Sequence, residues 1–176
     1  MSTEDTDTPL RSGGDERGAD APSRSGGYER FAGRFDHRLD PKRRFTIPLR
    51  LYECMGRPQD VYVMRSLKGL ACLDVFTPEG FDRRFLRPYK DVPVTDPEIT
   101  AFLRKLSNAA ELLQVDTQNR IRPSDLMQAY AGLETDVVLS AVGDHFEVWS
   151  LANYPKADSV EDEQEELMAM ARRLKR

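Results

Sequence analysis

The chain has 176 residues, which allows one domain of ordinary size with terminal extensions. Hydrophobic residues make up 39% and charged residues 32% of it, and its apolar runs fall short of the roughly 18 residues that a membrane-spanning helix needs, so a helical membrane protein is excluded. The net charge of −4 argues against nucleic-acid binding only on average, because residues 28–50 hold seven basic and three acidic side chains. Binding to a polyanion depends on the local electrostatic field more than on the net charge, so a nucleic-acid partner is not excluded.

The N-terminal segment and the cysteines indicate the compartment. Residues 1–27 are predicted to be a disordered tail, since they are rich in acidic residues, Gly and Ser, and they lack the apolar core of a signal peptide. Cys54 and Cys72 lie in apolar-patterned segments and are predicted to be buried thiols without a disulfide framework. These features predict a cytoplasmic protein.

Short strands and short helices alternate along the rest of the chain, with order predicted to begin near Tyr28. In the first half the predicted elements are strands at 31–39 and 44–47, a helix at 48–55, a hairpin of strands 61–66 and 71–76, and a helix from 77. A loop over 88–97 then leads into a helix that ends near 110. In the second half they are strands at 111–115 and 120–122, a helix at 124–131, a hairpin of strands 137–141 and 146–150, and a last helix from 159.

Cap and stop residues support the predicted helices. Gly56 is predicted to end the first helix. Thr77 is predicted to cap the next one, with Pro78 in its first turn. Ser159 and Asp162 form the pattern of a capping box at the start of the last helix.

The chain repeats one pattern 76 positions apart. An Asp-x-x-x-Arg unit ends an apolar stretch in each copy. The matched segments are 39–44 with 115–120, Gly56 with Gly132, 60–63 with 136–139, and 70–73 with 146–149. A shared offset over several separated anchors predicts one domain made of two copies of one supersecondary unit.

Four motifs stand out along these two copies: Phe35-Asp36-His37-Arg38-Leu39-Asp40 leading into Arg44-Phe45-Thr46-Ile47-Pro48, residues 116–121, Tyr130-Ala131-Gly132-Leu133, and Glu147-Val148-Trp149. Together they resemble the motifs of the MraZ family of bacterial transcription regulators. The resemblance runs from about Phe31 to Tyr154. It implies a mixed α+β fold: a swapped-hairpin AbrB-like β-barrel built from two internal repeats in one chain, with flanking helices. The domains expected are a disordered tail at 1–27, a first AbrB-like repeat with linking helices at 28–110, a second repeat at 111–154 and a C-terminal helix at 155–176.

The same resemblance implies a function. The protein is expected to bind short direct repeats in double-stranded promoter DNA, upstream of the division and cell-wall gene cluster, and to control transcription of that cluster. It is expected to self-associate into a ring, from octamer to dodecamer, and to be associated with the nucleoid. No cofactor, metal, membrane or small-molecule substrate is implied.

The Asp-x-x-x-Arg units carry the candidate site. An acid and an Arg that bracket a tight turn can pair across it and aim the guanidinium at phosphate or guanine. We expect Asp40 and Asp116 to order the turns. The candidate DNA-binding residues are Lys42, Arg43, Arg44, Arg120, Arg38 and Arg34. Because the first unit is more basic than the second, it is predicted to dominate binding; Arg34 and Arg38 could instead simply keep a strand edge soluble.

Two departures from the family pattern bear on this site. The family places Gly immediately before the motif Arg, where this chain has Arg43 and Asn119. In a left-handed backbone Asn is tolerated, whereas Arg costs roughly 1–2 kcal/mol. We hypothesise that Arg43 accepts this strain because it adds a cation at the DNA-facing tip. In the second copy Ser124 stands where Pro48 stood, and it is predicted to cap the helix.

Other functions have less support. His37 and His145 are the only histidines and have no metal-ligand spacing, and Glu147 is expected to face water on an alternating strand, so no enzyme is predicted. A degenerate family member that acts as an oligomeric scaffold without DNA readout remains an alternative. So does an AbrB or antitoxin-like regulator, although two fused copies disfavour the short dimerising chains of that class.

Overall fold

The computed structural model describes residues 31–93, 95–155 and 160–174. The predicted tail at 1–27, the start of order near Tyr28 and the cap at Ser159 lie outside the described residues. The strands are β1 (Arg34–Arg38), β2 (Phe45–Thr46), β3 (Asp60–Arg65), β4 (Cys72–Phe76), β5 (Ala110–Gln114), β6 (Arg120–Ile121), β7 (Asp136–Val142) and β8 (His145–Ser150). The α-helices are α1 (Leu49–Cys54), α2 (Pro78–Phe81), α3 (Pro97–Ala109), α4 (Asp125–Tyr130) and α5 (Val160–Leu174). After α2 the chain continues as a π-helical segment, Asp82–Leu86, and a 3₁₀ turn, Arg87–Tyr89. Among the described residues, no helix combines the length and the apolar character that crossing a bilayer requires.

Local sequence signals explain where the helices begin and end. The Thr77 hydroxyl accepts a hydrogen bond from the backbone N–H of Gly80 at the start of α2, and the Asp96 carboxylate accepts two at the start of α3. Gly56 and Gly132 follow α1 and α4 with φ of 76° and 62°, the left-handed backbone that glycine adopts without steric cost. The predicted cap at Thr77 and the predicted stop at Gly56 are confirmed.

Six antiparallel strands form the main sheet in the order β1-β7-β8-β4-β3-β5, and β2 pairs with β6 in a separate two-stranded sheet. The two halves of the chain interleave, because β1 pairs with β7 of the C-terminal half and β5 pairs with β3 of the N-terminal half. The fold is therefore mixed α and β, as predicted.

The barrel expected from the family resemblance is not closed by hydrogen bonds in the described residues. The sheet has two edges, β1 and β5. The strands that would have to bridge those edges, β2 and β6, are two residues long and pair with each other. Such short strands offer too few backbone groups to join both edges of the sheet.

The hydrophobic core lies between one face of the main sheet and the elements that follow the two turns. Phe45 and Ile47 near β2, Ile121 in β6, Leu51 in α1 and Met127 in α4 are at most 2% exposed. They pack against alternate side chains of the central strands, namely Val61, Val63, Leu73, Val75, Val137, Leu139, Phe146 and Val148. Because the residues that flank the two Asp-x-x-x-Arg turns are buried in this core, packing holds both turns where the two halves of the chain meet.

The register of the second hairpin differs from the sequence prediction. Arg65 pairs with Leu73 in the first hairpin, and Ala141 pairs with Phe146 in the second. Arg65 and Ala141 are 76 positions apart, but Leu73 and Phe146 are 73 apart. The predicted match of residues 70–73 with 146–149 is therefore wrong, because residues 66–71 connect the first hairpin and only residues 143–144 connect the second.

Two burial predictions are also wrong. Cys54, expected to be buried, is exposed near the end of α1, whereas Cys72 is a buried free thiol. Glu147, expected to face water, is 8% exposed. Its side chain points away from the main core and is covered there by Lys68 and Trp149, whose Nζ and Nε1 atoms each lie 2.9 Å from its carboxylate oxygens.

Candidate nucleic-acid interface

The first Asp-x-x-x-Arg unit forms a tight turn between β1 and β2 that is organised by one carboxylate. Asp40 Oδ1 accepts hydrogen bonds from the backbone N–H groups of Lys42 and Arg44, both at 2.9 Å. Its Oδ2 accepts from Arg44 Nε at 2.8 Å and pairs with Nη2 at 2.7 Å. The guanidinium is therefore held against the base of its own turn, as an acid and an arginine bracketing a turn allow.

The second unit repeats this geometry. Asp116 Oδ1 accepts from the backbone N–H groups of Gln118 and Arg120 at 2.8 and 2.9 Å. Its Oδ2 binds Arg120 Nε at 2.8 Å and Nη2 at 2.7 Å. We predicted that Asp40 and Asp116 order the turns, and the hydrogen bonds supply the physical means.

The two turns lie side by side and share charge. Arg44 Nη1 is 3.6 Å from Asp116 Oδ2, and Arg120 Nη1 is 4.0 Å from Asp40 Oδ2. The four side chains are between 25% and 33% exposed. A guanidinium has five N–H donors, so each Arg keeps donor capacity for a ligand that approaches from solvent.

The ion pairs change the acidity of both carboxyl groups. The side-chain hydrogen bond from Arg44, with its backbone N–H, lowers the pKa of Asp40 below its usual value. Desolvation raises the pKa of Asp116, but the backbone and side-chain hydrogen bonds from Arg120 outweigh it and leave the pKa lowered. Both carboxylates are therefore charged at neutral pH.

The residue before each motif Arg adopts the left-handed backbone that the family's Gly suggested. The φ angle is 58° at Arg43 and 59° at Asn119. The Arg43 side chain turns back toward the C-terminal half: Nε donates to Gln128 Oε1 at 2.8 Å, and Nη2 donates to the Leu133 carbonyl at 2.7 Å. Much of this guanidinium is thus bound to protein acceptors, which the hypothesis that Arg43 adds a cation at the DNA-facing tip did not include.

Lys42 and Arg122 supply further positive charge at this surface. Lys42 is exposed, and no hydrogen bond or ion pair within the described ranges holds its ammonium group. Arg122 donates to the Lys42 carbonyl at 3.1 Å and pairs with Asp125 at 2.7 Å. An exposed ammonium beside two guanidinium groups that are held by carboxylates is an arrangement that can contact a phosphate backbone.

Comparison with known proteins shows the family to which this chain is related. The MraZ protein family model, described as antitoxin-like, matches residues 106–176. The protein named "Transcriptional regulator MraZ" from Heliobacterium modesticaldum is 35% identical over 127 residues, which is 72% of this chain and 85% of that protein. The chain belongs to the MraZ family. Proteins of the same name from Thermomicrobium roseum and Lactiplantibacillus plantarum are 31% and 29% identical over 70% and 73% of this chain, and 84% and 88% of their own lengths.

Two predicted site residues of this MraZ family member lie on the exposed face of β1 and pair with acids outside the two turns. Arg34 binds Asp36 at 3.1 Å, and its guanidinium lies 4.6 Å from the Tyr154 ring. Arg38 binds Asp136, its cross-strand partner, at 2.7 Å. Both positive charges are thus matched by nearby carboxylates, which fits their alternative role of keeping an edge strand soluble.

Sequence reasoning missed the residues that tie the first turn to α4. Gln128 is 1% exposed and accepts from Arg43, while its amide donates to the Pro123 carbonyl at 2.8 Å. Ser124 caps α4 as predicted, and its N–H and hydroxyl also donate to the Glu111 carboxylate. No short-range pattern connects Gln128 with Arg43, but the three-residue spacing of Arg122, which precedes α4, and Asp125, its first residue, could have indicated their pair.

Proposed function

We propose that this chain is a sequence-specific DNA-binding transcriptional regulator that contacts promoter DNA through its two Asp-x-x-x-Arg turns. The observation that carries the proposal is the side-by-side placement of the turns, with Arg44 and Arg120 each oriented by an aspartate and shared with the other turn. A prepositioned guanidinium loses little freedom when it binds phosphate or guanine. The relatives' printed name, transcriptional regulator, points the same way.

The fold supports a finer proposal. We propose that the interleaving of β1 with β7, β5 with β3, and β2 with β6 is the swapped-hairpin arrangement of AbrB-type proteins, made here within one chain. In such an arrangement both turns are presented on one surface by elements from both halves. The boundaries at 28–110, 111–154 and 155–176 are part of this proposal.

The target and the assembly are also proposals. We propose that subunits form a ring, from octamer to dodecamer, that engages short direct repeats upstream of the division and cell-wall gene cluster in the nucleoid. Several weak turn contacts on successive repeats then combine, because the first contact raises the effective concentration of the next. Light scattering coupled to size exclusion would measure the mass of the assembly with and without a two-repeat duplex.

The first test is a gel shift of the full chain with the DNA upstream of its own gene. We expect a shift that excess scrambled DNA does not compete away. The binding should also weaken steeply as the salt concentration rises, because it releases counterions from phosphate. Arg44→Ala and Lys42→Ala should both weaken it, whereas Arg87→Ala, which removes an exposed cation paired with Asp82, should not. Lys42 has no described structural partner, so its variant separates DNA contact from loss of the turn.

A scaffold without DNA readout is the second candidate. It is favoured by the protein acceptors that occupy Arg43, Arg44 and Arg120. In that case the gel shift is absent at low salt, or scrambled DNA relieves it fully, while the ring is still present. An antitoxin-like regulator, the third alternative, predicts a stable complex with a second protein as well as with DNA.

A further inference from the structure

A cluster of buried polar side chains lies on the sheet face away from the main core. Cys72 and Asp74 are alternate residues of β4, and Glu147 belongs to the neighbouring strand β8, directly opposite Asp74. Their exposed fractions are 0%, 6% and 8%. Burying two carboxyl groups beside a thiol is costly unless something compensates their charge.

The compensation in the protein is incomplete. Glu147 Oε1 pairs with Lys68 Nζ at 2.9 Å, and its Oε2 accepts from Trp149 Nε1 at 2.9 Å. Asp74 Oδ1, by contrast, is buried without a hydrogen-bond partner. Buried polar atoms are nearly always paired, so an orphaned carboxylate oxygen inside such a cluster indicates a missing cationic or donor ligand.

We propose that Cys72, Asp74 and Glu147 form a binding site for a divalent transition-metal ion, with Zn²⁺ as the expected metal. One donor atom from each of the three side chains lies within 4.8 Å of the other two. A tetrahedral zinc ion with thiolate and carboxylate bonds of about 2.0–2.3 Å places its ligands roughly 3–4 Å apart, so small side-chain movements complete the geometry. Three protein ligands leave the fourth position for water.

The choice of metal follows from the donor atoms. A thiolate favours zinc over the hard ions Mg²⁺ and Ca²⁺, which prefer oxygen donors only. On binding, the Cys72 thiol gives its proton to solvent, and the ion replaces the Lys68 ammonium as the partner of Glu147. Lys68 lies in the loop between β3 and β4, and its side chain is 48% exposed, so it can turn outward to solvent.

The ion would join the two halves of the chain at the centre of the sheet. Cys72 and Asp74 belong to the N-terminal hairpin, and Glu147 belongs to the C-terminal hairpin. A ligand that binds the folded state alone stabilises it, so the metal would raise the unfolding temperature. This role is separate from the turns at Arg44 and Arg120, which lie next to the opposite, core-facing side.

The test uses the full chain under a thiol-free reductant, titrated with Co²⁺ as a spectroscopic substitute for Zn²⁺. We expect one Co²⁺ per chain, a thiolate-to-cobalt charge-transfer band, and loss of that band when Zn²⁺ is added. Wild-type protein that shows no band at saturating Co²⁺ overturns the proposal, and so does a band that vanishes in Cys54→Ala, the variant of the exposed second cysteine.

Variants assign the ligands. Cys72→Ala should abolish the band, and Asp74→Asn should weaken Co²⁺ affinity roughly tenfold, because a neutral amide oxygen is a weaker ligand than a carboxylate. Lys68→Ala should strengthen it, since a competing cation is removed. Circular dichroism checks folding; if Cys72→Ala does not fold, the near-isosteric Asp74→Asn and the surface variant Lys68→Ala decide. Unchanged affinity in both of these overturns the proposed site.

Discussion

Arg44 Nη1 lies 3.6 Å from Oδ2 of Asp116, the carboxylate that orders the other turn. The reciprocal pair, Arg120 with Asp40, is longer at 4.0 Å. Each turn thus depends on its own aspartate first and on its neighbour's second. These ion pairs connect the two halves of the chain where the proposed DNA contacts lie. A substitution in one turn should therefore also change the stability of the other turn.

Acid should loosen this network. The pKa of Asp40 is lowered by its hydrogen bonds with Arg44, so its stabilising contribution is present above the ordinary value of 3.8 and is lost as pH falls through the lower folded value. Asp40→Asn keeps an acceptor for the backbone N–H groups but removes the charge. We expect it to lower the urea midpoint at pH 6, with the difference from wild type shrinking below pH 3.8.

A matched control distinguishes this effect from general loss of negative charge. Asp91→Asn changes an exposed acid in the turn before α3 and should leave the urea midpoint within experimental error at both pH values. A difference in urea midpoint between Asp40→Asn and wild type that stays constant from pH 6 to pH 2.5, a span of about 3.5 units, would contradict the assigned role of the ion pair.

Moving a lysine from the first turn to the second should change how much each turn contributes to DNA affinity. Lys42 and Gln118 occupy the same position in the two copies, and both donate their backbone N–H to the turn aspartate. Lys42→Gln should therefore weaken operator binding and flatten its salt dependence by about one counterion, whereas Gln118→Lys should do the reverse. Affinity measured by fluorescence anisotropy at several salt concentrations checks both. Equal, small effects of the two changes would refute dominance of the first turn.

The link from the first turn to α4 should be a large contributor to stability. Gln128 is buried and bonds the Arg43 side chain, the Arg43 carbonyl at 3.2 Å and the Pro123 carbonyl. Gln128→Ala leaves these groups unpaired and should cost about 2–3 kcal/mol in the free energy of unfolding. Tyr52, its counterpart in the first copy, makes one bond to the Pro58 carbonyl, so Tyr52→Phe should cost about 1 kcal/mol. Urea unfolding of both variants compares the two costs; similar losses would contradict the asymmetry.

Features that depend on neighbouring residues could be predicted from the sequence, whereas contacts between distant parts of the chain could not. The caps at Thr77 and Ser124 and the stop at Gly56 depend on neighbouring residues, so their patterns sufficed. The burial of Glu147 depends instead on strands from both halves and on Lys68 in a loop far away in the chain.

The candidate site divides in the same way. The pairing of Asp40 with Arg44 and of Asp116 with Arg120 could be predicted because each pair lies within five residues of chain. The inward course of the Arg43 side chain was not, since its acceptors, Gln128 and Leu133, are reached only after the halves interleave. Alternation along a strand also cannot tell a solvent face from a second buried face, which is why Glu147 was misplaced.

Arg43 holds a left-handed backbone that a residue with a side chain adopts only under strain. Arg43→Gly should relieve roughly 1–2 kcal/mol of this strain. It also removes the hydrogen bonds to Gln128 and Leu133, which together are worth a similar amount. We therefore expect the free energy of unfolding to stay within about 1 kcal/mol of wild type, while operator affinity falls because a cation is lost. Asn119→Gly, with φ of 59° and a residue that tolerates it, is the control and should change both quantities little. An Arg43→Gly variant that binds the operator as tightly as wild type would show that Arg43 stays at the turn to hold α4, with no contribution to DNA.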